Sequence, residues 1–157
     1  MLSTFFRKAP LQDGLPVGLQ DVIHAVAQSA DKRECLEQTC ALLARRYKGY
    51  RLKTYTHLHE LFRKDTNYFW NKKDDFVHCT TMNYLVRLVL IKSEFFCEED
   101  ISQHWTMVWY VSPHQYLRVD LGEETLAVDL WGVHNGVPLG CYASGFGVKK
   151  IVPIVNS

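Results

Sequence analysis

Thr80-Thr81-Met82-Asn83-Tyr84-Leu85-Val86-Arg87-Leu88-Val89-Leu90-Ile91 is the stretch that decides the fold. Apolar side chains fall on almost every side of a helix wound through it, and such a helix belongs inside a core. It contains Asn83 and Arg87 and falls short of the about 20 residues that a bilayer span needs. What surrounds it must therefore be protein. Downstream the period changes. Trp105 to Val111, His114 to Leu121 and Thr125 to Trp131 are rich in β-branched and aromatic residues, and Ser112-Pro113 and Gly122-Glu123 separate them. Three antiparallel strands are the simplest reading.

Upstream the pattern is helical. Gly14, Pro16 and Gly18 mark a loop, after which Leu19, Val22, Ile23 and Val26 recur at helical spacing. Asp31 is placed to cap a second helix with Leu36, Cys40, Leu43 and Ala44 as its apolar stripe and Gly49 where it would stop. His57, Leu61, Phe62 and Phe69 suggest a third between Thr56 and Trp70, with a boundary near Asn71. Helices over about 17–92, strands over about 104–132 and a glycine-rich loop over 133–157 make one α+β domain.

Composition narrows the function. At 157 residues and 47% hydrophobic content the chain can bury one respectable core. Eighteen Lys plus Arg against 17 Asp plus Glu leave a net charge of +1, and no segment carries a basic run. Neither a nucleic-acid nor a membrane partner is expected. Phe5 and Phe6 are followed at once by Arg7 and Lys8, the reverse of a secretion signal. Five cysteines, an odd number without a Cys-x-x-Cys pair, suit a reducing compartment, and the expectation is a cytoplasmic protein. His57 with His59, and His78 with Cys79, lack a second ligand pair at zinc spacing. Gly132, Gly136, Gly140, Gly145 and Gly147 do not form a phosphate-cradling loop. No cofactor is expected.

The chemistry concentrates at three residues. Cys79 opens the buried helix, where unpaired backbone N–H groups and the dipole favour a thiolate. A nearby imidazolium would strengthen that effect. With period-two alternation His114 shares a face with Tyr116 and Arg118, and Asp129 shares one with Ala127 and Trp131. A hairpin centred between Leu121 and Gly122 puts His114 directly across from Asp129. One centred on Glu123-Glu124 puts Arg118 there instead, and both registers stay open.

At these residues the chain resembles the transglutaminase-like superfamily of cysteine enzymes, which share a papain-like core. The similarity runs from Phe76-Val77-His78-Cys79 through the buried helix and Val108-Trp109-Tyr110-Val111. It continues in His114-Gln115-Tyr116-Leu117-Arg118-Val119 and ends in Leu126-Ala127-Val128-Asp129-Leu130-Trp131-Gly132. The resemblance implies Cys79 as nucleophile, His114 as general base and acid, and Asp129 as the residue that orients His114. It implies acyl transfer at an amide or ester bond, with a protein or peptide as substrate. Family members carry a small residue before the Cys, an aromatic two beyond the His and a Trp shortly before the Asp; here these positions hold His78, Tyr116 and Thr125. His78, Trp70, Tyr116 and Trp131 are candidates for lining or supporting the site.

Competing readings exist for each residue. Cys79 could be a core thiol, His114 a polar strand start and Asp129 an ion-pair partner of Arg118. His104 and Asp120 form a rival pair one strand earlier. Trp105, Trp109 and the cluster Tyr68 to Trp70 read as core before ligand platform. A catalytically silent binding or scaffold module on the same fold is the alternative function.

Overall fold

The computed structural model describes residues 7–151. Phe5 and Phe6, and the last six positions of the expected C-terminal loop, lie outside the described residues. The chain is α+β: helices come first, then a three-stranded antiparallel sheet and a separate two-stranded one.

Helix α1 (Val17–Val26) buries Leu19, Ile23 and Val26. Helix α2 (Lys32–Arg46) starts where Asp31 accepts a hydrogen bond from the Glu34 N–H at 2.8 Å, and buries Cys35, Leu36, Cys40 and Leu43. Between Thr56 and Trp70 the structure departs from the single helix expected. Helix α3 (Arg51–Thr56) ends early, a 3₁₀ turn spans Leu58–Glu60, and α4 (Thr66–Asn71) starts afresh. Local hydrogen bonds break the run. The Thr56 hydroxyl bonds back to the Lys53 carbonyl, and Asp65 caps the new helix through the Tyr68 N–H. Glu60 turns inward to a buried ion pair with Lys72 at 2.8 Å.

Helix α5 (Cys79–Lys92) is the core helix its sequence demanded, buried at every residue from Thr81 to Leu90. Its charge is compensated: Arg87 reaches Glu98 at 3.2 Å and the Ala9 carbonyl. Asn83 donates to the Gln115 carbonyl at 2.9 Å, tying the helix to the sheet beside it. Strands β1 (Ile101–Val108), β2 (Ser112–Asp120) and β3 (Thr125–Val128) lie in that order. One hydrophobic cluster joins residues of α1, α2 and α5 to Ile101, Leu117, Val119 and Val128 of the sheet.

Four expectations need correction. The first strand starts four residues earlier and stops at Val108, because Trp109 and Tyr110 adopt left-handed backbone (φ 53° and 58°) in the turn. The β2–β3 register places Leu117 opposite Val128 and Asp120 opposite Thr125, between the two registers considered, so His114 and Asp129 are not cross-strand partners. Gly122, at φ 95°, turns the chain within the closing hydrogen bond from Leu121 N–H to the Glu124 carbonyl. The third strand ends at Val128, and Asp129 instead caps the short helix α6 (Leu130–Val133), which carries Trp131. The glycine-rich tail is not a plain loop: β4 (Cys141–Ser144) and β5 (Gly147–Lys150) form a hairpin. Its turn is hung on the first sheet by paired bonds between Gly145 and the backbone of Met107 and Trp109, each 2.7 Å. No helix among the described residues is long and apolar enough to cross a membrane.

Candidate active site

Cys79 is the first residue of α5, held there by the strand-like segment before it. Lys48 N–H donates to the Asp75 carbonyl at 2.7 Å, and the buried His78 bonds the His57 carbonyl through Nε2 at 2.7 Å. Burial holds His78 below the ordinary imidazole pKa, against the opposing effect of that bond. His78 is thus a neutral strut that ties the start of this helix to the His57 carbonyl. The first helical bond runs from Met82 N–H to the His78 carbonyl at 2.9 Å, which leaves the N–H groups of Cys79, Thr80 and Thr81 outside the helical ladder.

The second residue comes from the sheet. His114 lies near the start of β2, 3% exposed, and its Nε2 meets Asp129 Oδ2 at 2.8 Å. Burial disfavours a charged ring, but the bond to Asp129 and then the Cys79 sulfur, as hydrogen-bond partner and as charge, outweigh it. The His114 pKa rises to about 10. With Nε2 taken by Asp129, Nδ1 is the nitrogen left for Cys79.

Asp129 reaches His114 from a helix cap instead of a facing strand, and this is why the register mattered less than expected. Its Oδ1 accepts from the Gly132 N–H at 2.9 Å, and its Oδ2 accepts from the Ala143 N–H at 2.9 Å as well as from His114. A β-carbon on Gly132 would lie 2.7 Å from that carboxylate, so the close cap needs glycine. The C-terminal hairpin is therefore wired into the site. No sequence signal pointed to Ala143, because its contribution is a backbone N–H.

A narrow cleft of about 30 Å³ opens at these groups. Cys79 and His114 lie at its base; Trp131, Val108, Trp109 and Arg51 are among its walls. The Trp131 ring sits 5.1 Å from the His114 ring and shields the pair from water. The other two candidates fall outside the cleft lining. Tyr116 stacks on Tyr142 at 4.0 Å and fastens the hairpin to the sheet, while Trp70 packs against the Arg46 guanidinium at 3.9 Å. Trp109, read as core, is 40% exposed and belongs to the cleft. Arg51 was missed because nothing local marks it.

The rival pair is not assembled. His104 Nε2 bonds Ser102 at 2.9 Å, and Asp120 accepts from the Gly122 N–H at 2.8 Å within the turn. Arg118 reaches the Tyr116 hydroxyl at 3.1 Å rather than Asp129. Among the described residues no three His, Cys, Asp or Glu side chains group so as to hold a metal ion. No protein-family profile, curated protein or solved structure matches this chain.

Proposed function

We propose that the protein is a cysteine-dependent acyl-transfer enzyme of transglutaminase-like type, with a papain-like core and a Cys79, His114, Asp129 triad acting on a protein or peptide substrate. The observation that carries this reading is the 2.8 Å bond between buried His114 and Asp129 at the base of a cleft shared with Cys79. An imidazolium whose pKa is lifted to about 10 keeps its proton through the neutral range, ready for a departing group.

The chemistry follows from the placement. The Cys79 sulfur attacks an amide or ester carbonyl carbon, and the backbone N–H of Cys79 is placed to donate to the oxygen that gains charge. As the tetrahedral centre collapses, His114 gives its proton to the departing amine or alcohol, leaving an acyl-thioester. His114 then takes a proton from the acceptor, water or an amine, whose attack frees the sulfur. Asp129 orients the ring throughout. Water makes the protein a protease, amidase or deamidase; an amine makes it a crosslinker. Five free cysteines, two of them fully or nearly buried, fit the reducing conditions of the cytoplasm.

Alkylation tests the reading. At about pH 6, iodoacetamide should label Cys79 at least tenfold faster than exposed Cys97, and His114→Ala should remove the advantage. Equal rates that ignore His114 would sink the enzyme and leave a silent binding module on the same fold.

A further inference from the structure

Arg51 stands at the mouth of the cleft with nothing anionic to meet it. Its guanidinium lies 4.3 Å over the Trp109 ring, and both residues line the space above Cys79. Arg33, Arg63 and Arg87 each pair with a carboxylate: Glu124, Asp65 and Glu98 respectively. Arg51, among the described residues, forms no ion pair and no hydrogen bond. The Trp109 ring lies against the guanidinium, whose N–H groups, without an ion pair or hydrogen bond among the described residues, can receive a carboxylate through two parallel bonds.

The surroundings point the same way. Three segments build this side of the molecule: Tyr50 to His59, Ile101 to Val119, and Leu130 to Ile151. None contains an Asp or a Glu. No residue lining the cleft is an Asp or a Glu, and Asp75, which reaches this side, is taken by the Tyr50 hydroxyl at 3.3 Å and by Lys48 at 3.6 Å. Trp109 itself is fixed: its left-handed backbone is retained in the turn by the N–H bond to the Gly145 carbonyl at 2.7 Å. The stacking platform is therefore preset, and Arg51 is held over it at a cost in side-chain freedom that a ligand need not meet again.

We infer that Arg51 is the specificity-determining residue of the Cys79 cleft and receives a carboxylate carried by the substrate beside the reacting carbonyl. The acyl donors it selects are peptides with an Asp or Glu side chain, or a free C-terminal carboxylate, next to the scissile bond. The identity of the substrate rests on the acyl-transfer reading; the anion subsite does not.

Two alkylating probes of nearly the same size separate the two claims. Iodoacetate carries the carboxylate and iodoacetamide does not, and both react at sulfur. Rates at Cys79, each divided by the rate at Cys97 in the same molecule, give an anion preference independent of turnover. Arg51→Gln should lower the iodoacetate to iodoacetamide ratio about fivefold at low ionic strength, and Arg51→Lys should retain part of it. Raising salt from roughly 20 mM to roughly 500 mM should bring the wild-type ratio close to that of the Gln variant. A ratio that is the same in wild type and Arg51→Gln overturns the subsite. In the peptide arm, substrates with Glu, with a free C-terminal carboxylate, or with Gln or an amide at those positions identify which source is preferred through kcat/KM. Turnover of the neutral peptides as fast as the acidic ones overturns the specificity and leaves the enzyme standing. Slow labelling of Cys79 by both reagents overturns the enzyme, and their ratio still decides the subsite.

Discussion

The two walls of the cleft are built on opposite principles. On one, His114 and Asp129 are each 3% exposed, and both carboxylate oxygens are engaged by three donors on β2, α6 and β4. On the other, α3 and the β1–β2 turn present Leu52 at 84%, Tyr110 at 71% and Trp109 at 40% exposure, held by the Arg51–Trp109 contact and by the backbone bonds of Met107 and Trp109 to Gly145. Buried polar groups must be satisfied or they cost stability, whereas exposed ones can be left open for a ligand. The proposed chemistry thus sits on the buried wall and the proposed recognition on the exposed one.

The sharpest way to break this contrast is Asp129→Ala, which strands the His114 ring and the N–H groups of Gly132 and Ala143. Urea unfolding should show a loss of about 3–5 kcal/mol, with release of the C-terminal hairpin visible as faster amide exchange at Ala143. A loss below about 1 kcal/mol would mean that the buried wall is not the rigid one.

His114 adds a pH signature. Its folded pKa is raised, so the stability it contributes is fully present below the unfolded value of about 6.5 and is lost as pH rises through about 10. The unfolding free energy of wild type relative to His114→Gln should be larger at about pH 6 than at about pH 10. A difference that grows with pH would reverse the assignment of the charged ring.

Lys64, outside the cleft lining, is an exception that tests the rule that enclosed polar groups are satisfied. Its Nζ is enclosed and has no hydrogen-bond partner among the described residues, and burial lowers its pKa to about 8 against an ordinary 10.5. A depressed lysine penalises the folded state below about 8, and the penalty fades as pH approaches 10.5. Lys64→Met should therefore stabilise by about 1–3 kcal/mol at neutral pH and by little in alkali, read from thermal melts at both. The smallest effect belongs to the open wall. Trp109→Ala should change unfolding free energy by less than about 1 kcal/mol while lowering the iodoacetate preference at Cys79 as Arg51→Gln does.

Sequence legibility followed the range of the interactions. The core helix, the capped helix after Asp31 and the Cys79 helix start were readable because apolar period and a local cap decide them. The run from Thr56 to Trp70 was misread because Thr56 and Asp65 spend their side chains on the backbone, a competition that periodicity does not register. The C-terminal hairpin was missed because its strands are four residues each and its paired bonds go to a distant turn at Met107 and Trp109.

The sequence by itself determined the kind of element that carries two of the three candidate residues, a cysteine at a helix start and a histidine on a strand; it put the acid within the third strand, where the structure has it capping a helix. Only the tertiary structure decided how they meet. A helix cap, rather than a facing strand, brings Asp129 to His114, and backbone N–H groups of Gly132 and Ala143 hold it there. Backbone donors are present at almost every residue and so leave no mark in a sequence, which is why the wiring of the site became visible only once the chain was folded.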